Sequence, residues 1–167
     1  GLVNADPTIE RVLVICPASL RLNWQRELTR WLVRPTLIGI ADGKTLPQSD
    51  VVIINYDLLK KHTVGLRARQ WDLIVVDEAH YCKSAKAQRS EQVFGTDTYQ
   101  AKRSSKTPVV AIQARRRLLM TGTPVTNRPA ELFPLIHYLD PVAWPNFFGY
   151  ARRYCDARQE RHGWDFS

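Results

Sequence analysis

The stretch 73–83, LIVVDEAHYCK, sets four apolar residues directly before two carboxylates and a histidine. Four consecutive aliphatic side chains without polar alternation describe a strand covered on both faces, as in a parallel sheet held between helical layers. In such sheets the chain leaves the core at the carboxyl ends of the strands, and ligands gather there. Asp77 and Glu78 therefore stand at the mouth of a buried strand, and the rest of the sequence can be read around them.

Runs of the same character occur at Val12–Cys16, Leu37–Ile40, Val51–Ile54 and Leu118–Met120. Between the first two, Leu20, Trp24, Leu28, Trp31 and Leu32 recur at helical spacing. They predict an amphipathic helix with Trp24, Leu28 and Trp31 in its core face and Ser19 as its cap. Tyr56–Lys61 carries a weaker helical signal. Strand, helix, strand in repetition implies right-handed crossovers and a mainly parallel α/β sheet. The polar segment Gly95–Thr107 reads as a loop. Ala130–Leu139 reads as a helix with Pro134 kinking it or in its first turn, stopped by Asp140-Pro141. An aromatic-rich tail follows. The expected organisation is one α/β lobe over residues 1–140 and a helical aromatic extension over residues 141–167.

A chain of 167 residues is about one domain. With 44% hydrophobic and 24% charged residues it belongs with folded rather than disordered chains. No apolar run approaches the roughly 20 residues of a membrane span, so no membrane partner is expected. Cys16, Cys82 and Cys155 form no CxxC pair and read as reduced thiols of an intracellular protein. His80 and Cys82 lack the paired spacing of zinc ligands. The net charge is +8, and seven basic residues without an acid lie between Thr98 and Ala130. That cluster fits a phosphate-facing surface or a plainly solvated face. Arg115–Arg117 also fit the solvated end of a helix.

The chemistry follows from position. Asp77 is placed to hold a magnesium ion, through water, because magnesium keeps much of its hydration shell. Glu78 is placed to orient or deprotonate a water attacking a terminal phosphate, and His80 to hydrogen-bond across a cleft. In RRRLLMTGTPVTN, 115–127, a second buried strand ends in hydroxyls, Thr121 and Thr123, with Gly122 and Pro124 fixing a tight turn. An acidic pair alone can simply stabilise a helix N-terminus, and TGTP alone can be an ordinary turn. The two together on neighbouring strands point to a phosphate site. A phosphate-cradling loop would read GxxxxGK[ST] and open a helix. GIADGKT, 39–45, has its first glycine one residue too close and runs into Pro47, so it reads as a turn between strands.

VLVICPASLRLNWQREL (12–28), VVIINYDLL (51–59), LIVVDEAHYCK (73–83) and RRRLLMTGTPVTNRPAELFPLIHYLDP (115–141) resemble, in content and order, motifs of the Swi/Snf-type DNA translocases of helicase superfamily two. The resemblance runs from about Arg11 to the end. The tail FFGYARRYCDARQERHGWDFS (147–167) is similar to the annealing-helicase-like (HARP-like) branch. The resemblance implies a first RecA-like lobe with Asp77 as magnesium carboxylate and Glu78 as catalytic glutamate. It makes His80, Thr121, Gly122 and Thr123 coupling residues. It lays nucleic-acid contacts on Ser19, Arg21, Asn55, Tyr56 and Lys83. It also implies ATP and Mg2+ as cofactors of a parent protein, and double-stranded or branched DNA and a second RecA-like lobe as partners. The location implied is the nucleus or a bacterial cytoplasm. The family's phosphate loop would precede residue 1, so the lobe is expected to be incomplete at its N-terminus, to turn over no ATP alone and to bind nucleotide weakly or undetectably. Two alternatives stand beside this. One is a non-catalytic nucleic-acid or protein docking module using region 98–130 and the aromatic tail. The other is a DEAH-type RNA helicase, with which TGTP followed by AELFPLIHYLDP fits less well.

Overall fold

The computed structural model describes residues 1–82, 88–95, 109–125, 128–156, 158–160 and 163–165. Five strands, β1 (Val12–Cys16), β2 (Ile38–Ile40), β3 (Val51–Asn55), β4 (Trp71–Asp77) and β5 (Ala114–Met120), form one sheet in the order β2-β3-β1-β4-β5. Every pairing in it is parallel. The helices are α1 (Leu2–Ala5), α2 (Arg21–Trp31), α3 (Leu59–Ala68), α4 (Gln88–Phe94), α5 (Phe133–Leu139) and α6 (Phe147–Tyr154).

The apolar runs are continuous because each strand feeds two cores. On one face Leu13, Ile15, Val52, Ile54, Ile74 and Val76 are buried with Leu59, Leu66, Val93, Leu135 and Tyr138 of α3, α4 and α5. On the other, Val12, Val14, Cys16, Val51, Ile53, Leu73 and Val75 meet Leu20, Trp24, Leu28 and Leu32 at and around α2. Strand residues alternate between faces with a period of two. Asp77 therefore lies on the α2 side with Leu73 and Val75.

Several boundaries differ from the sequence reading. β5 begins at Ala114, so Arg115–Arg117 lie in a strand rather than at a helix end. β5 is covered less than β1, β3 and β4, with Leu118 41% and Met120 39% exposed. Ser19 caps nothing, since a 3-10 turn, Ala18–Leu20, leads into α2 and neither it nor α2 has a side-chain cap. Trp31 is 60% exposed, its indole N–H turned to Glu27 at 2.8 Å, and so leaves the helix core. α4 had no counterpart in the pattern. Beyond α6 the chain forms an antiparallel pair, Arg158–Glu160 with Gly163–Asp165, where a helical extension was expected. The aromatic tail does pack. Tyr150, Ala151 and Cys155 form a small core with Phe133, Ile136, Trp144 and Phe147.

GIADGKT runs from the end of β2 into a closed turn before β3. The Asp42 carboxylate accepts the backbone N–H groups of Lys44 at 2.6 Å and Thr45 at 2.7 Å. A Cβ at Gly39 would lie 2.6 Å from Pro47 Cβ and from Ser49 Oγ, which accounts for that glycine by packing. The N–H groups of Ala41, Asp42, Lys44 and Thr45 are thus engaged within the chain.

Candidate nucleotide site at the sheet's carboxyl edge

β4 ends at Asp77, registered beside Met120 of β5. The next residues on each chain therefore emerge as neighbours. Glu78 takes a left-handed backbone, φ 51°, and turns the chain into the 3-10 turn Ala79–Cys82. That turn brings His80 back over the strand ends. His80 Nδ1 lies 3.0 Å from Glu78 Oε2 and 3.2 Å from Thr121 Oγ1. The contact with Thr121 is a hydrogen bond, and the Glu78 carboxylate lies within ion-pair reach of the same ring nitrogen. Thr121 Oγ1 also accepts the N–H of Thr123 at 3.1 Å. The TGTP turn is thus closed by a hydroxyl. A Cβ at Gly122 would meet nothing within 4 Å, so the turn does not depend on glycine for space.

Asp77 is held from three directions. Its Oδ1 accepts the N–H of Glu78 at 2.9 Å, and its Oδ2 accepts the indole N–H of Trp24 at 2.8 Å. Its main-chain carbonyl accepts the Tyr56 hydroxyl at 2.6 Å. Each carboxylate oxygen keeps a second lone pair free. Cys16, at the end of β1, is fully buried, and burial first and the Asp77 charge second push its thiol up to about 12. Cys82 is pushed to about 12 by burial, partly offset by a hydrogen bond with Tyr56. Burial likewise drives the Tyr56 phenol far above its ordinary range. These groups stay neutral and pack.

The residues expected to meet nucleic acid separate. Ser19 is exposed and Arg21 half-buried at the same carboxyl edge. Arg21 donates to the carbonyls of Ala18 at 3.2 Å and Ala41 at 3.4 Å. Asn55 and Tyr56 are 6% and 5% exposed, so neither presents a surface to a duplex; both belong to the packing beneath the edge. Asn55 Oδ1 is buried without a hydrogen-bond partner. Lys83 lies outside the described residues, as do Lys102, Arg103 and Lys106.

Arg115–Arg117 are committed elsewhere. Arg115 donates to the Thr8 carbonyl at 2.7 Å and lies 3.6 Å from Asp72, and Arg116 pairs with Asp6. Arg117 donates to the Tyr138 carbonyl at 2.7 Å and stacks over its ring. They occupy the amino-terminal half of β5, with Arg115 about 16 Å from its carboxyl end at roughly 3.3 Å per residue. Trp24 was taken for core alone. Its indole N–H, which a half-buried tryptophan must satisfy, was the available signal of a polar partner.

A five-stranded parallel sheet between helices, with acids, a histidine and a threonine turn gathered at its carboxyl edge, is the arrangement of a RecA-like ATPase-core lobe. The chain belongs to the SNF2-related domain family, which matches residues 2–160. Among its relatives, the SWI/SNF-related matrix-associated actin-dependent regulator of chromatin subfamily A-like protein 1 of Xenopus tropicalis is 32% identical over 160 residues, covering 93% of this chain and 15% of the relative. The DNA annealing helicase and endonuclease ZRANB3 of Mus musculus is 34% identical over 168 residues, covering 92% of this chain and 14% of the relative. The chain therefore spans about a seventh of the length of these relatives. The fold matches the Sulfolobus solfataricus SWI2/SNF2 ATPase core in complex with dsDNA, with a TM-score of 0.70 and 21% identity over 90% of this chain and 29% of that one. No described helix is long and apolar enough to cross a membrane.

Proposed function

We propose that this chain is part of an ATP-dependent DNA translocase, in which hydrolysis at the sheet's carboxyl edge drives movement along duplex or branched DNA. The observation that carries this is the His80 bridge. One ring nitrogen joins Glu78 at the end of β4 to Thr121 at the end of β5, at 3.0 and 3.2 Å. A change in either strand end is then felt by the carboxylate that orients water. In this reading Glu78 positions and deprotonates the attacking water, His80 pairs with Glu78 and is held by Thr121, the two transmit its state, and Thr123 fixes the Thr121 hydroxyl.

A magnesium ion fits the donor set. Asp77 offers carboxylate oxygens, hard ligands of the kind it prefers. Among the described residues no group of three or more His, Cys, Asp or Glu side chains could hold a metal without help. Asp77 would therefore share the ion with phosphate oxygens and water. When bound, the ion supplies positive charge against the phosphates.

The partners in this reading are double-stranded or branched DNA and a second RecA-like lobe, in the nucleus or a bacterial cytoplasm. Ser19 and Arg21 are the DNA contacts at this edge, through phosphate and without sequence information. The 167 residues contain no GxxxxGK[ST] segment, and we infer that alone they turn over no ATP and bind nucleotide weakly or not at all. The docking-module reading is weakened because Arg115–Arg117, its main cations, are engaged within the chain.

The test is Glu78→Gln in the full-length protein. It should reduce DNA-stimulated ATP hydrolysis by at least about 100-fold while leaving nucleotide binding intact. Hydrolysis that survives the substitution, together with DNA binding abolished by charge reversal at Arg115–Arg117, would establish the docking module instead.

A further inference from the structure

We infer that Trp24 is a positioning residue for the Asp77 carboxylate, a role that rests on the ATPase reading above. Its indole N–H donates to Asp77 Oδ2 at 2.8 Å, across 53 residues of sequence. The other oxygen is held at 2.9 Å by the N–H of Glu78, and the Asp77 carbonyl at 2.6 Å by the Tyr56 hydroxyl. An aspartate at a strand end could rotate about its side-chain torsions. Two donors on opposite oxygens select one rotamer and leave one lone pair on each oxygen directed outward. Of these donors only Trp24 can move independently of β4, because it is carried by α2.

The arrangement ties Asp77 to the start of α2. Trp24 stands one turn into α2, past the 3-10 turn that carries Ser19, and Arg21 lies on the same first turn. Arg21 is braced to the carbonyls of Ala18, in that 3-10 turn, and Ala41, just past β2. Ser19 and Arg21, the DNA contacts of the reading above, therefore lie within a turn of the donor to Asp77. Outer-shell donors to metal-ligating groups typically change metal affinity or activity by about 10- to 100-fold when removed.

The experiment measures binding of a fluorescent ADP analogue to the full-length protein, once with Mg2+ and once with EDTA. Trp24→Phe keeps the ring against the sheet and removes the donor. It should lower the Mg2+-dependent gain in affinity about 10-fold while leaving affinity in EDTA unchanged. Trp24→His, which keeps a ring N–H, and Trp24→Leu, which does not, form a second pair read the same way should Trp24→Phe fail to fold. A Mg2+ gain unaffected by loss of the donor, or equal losses with and without Mg2+, overturns the assignment. Asp77→Asn is the control. If it abolishes the Mg2+ gain and Trp24→Phe does not, only the role of Trp24 falls. If Asp77→Asn preserves the gain, the metal site at Asp77 falls with it.

Discussion

Glu78 is where the site departs from ordinary backbone. A non-glycine residue at φ 51° costs about 1–2 kcal/mol, and such strain concentrates where a side chain must be aimed. Here it aims the carboxylate at His80. Beneath it Cys16, Tyr56 and Cys82 are neutral and buried. Tyr56→Phe removes the hydroxyl that donates to the Asp77 carbonyl and should cost about 1 kcal/mol in denaturant unfolding. Cys16 and Cys82 give a second check at this scale. Both thiols are held near 12 against an ordinary 9.0, so neither supplies thiolate near neutrality. Iodoacetamide at about pH 8 should spare them in the folded protein and alkylate them in guanidinium. The sign of the linkage follows: the folded state favours the protonated thiol. This contribution is complete below pH 9.0 and is lost as pH rises from there toward 12.

The strands were readable because being buried on both faces leaves no room for alternation. Ile74 shows the consequence. It is fully buried among residues of three strands and the helices over them, so Ile74→Ala should destabilise by about 2–5 kcal/mol in a denaturant titration. β5 was half hidden for the opposite reason. Its three arginines look like a solvated helix end, yet each finds a partner on a neighbouring segment, which no local pattern records. α4 escaped notice because seven residues with little apolar content, only Val93 and Phe94 at its end, are too few for a helical period to show. Asp72 ties the start of β4 to the loop before β1, accepting the N–H groups of Glu10 at 3.0 Å and Arg11 at 2.9 Å. Desolvation raises its carboxyl, but those bonds and Arg115 outweigh it and hold the group below 3.8. Its stabilising share is present above that value and is lost as pH falls below it. Asp72→Asn should therefore flatten the acid limb of the unfolding curve.

For the molecule as a whole, the +8 charge says less about DNA than its placement. Arg115 and Arg116 sit toward the amino ends of the strands and face Asp72 and Asp6. Changing both to Gln should leave the salt dependence of DNA binding by the full-length protein unchanged. Arg21→Gln, at the carboxyl edge, should lower the log–log slope by about 0.9, the share of one lost phosphate contact. Apolar runs ending in DEAH and TGTP were enough to infer a parallel sheet with acids and hydroxyls at one edge, because burial and pleat periodicity act locally along the chain. Which groups hold those acids was not local. The indole of Trp24 reaches Asp77 only because α2 folds back across β1 onto the face that Leu73 and Val75 share, and Asn55 and Tyr56 turn inward only because helices close over β3. Packing between segments tens of residues apart assigned those partners, and hydropathy carries no record of it.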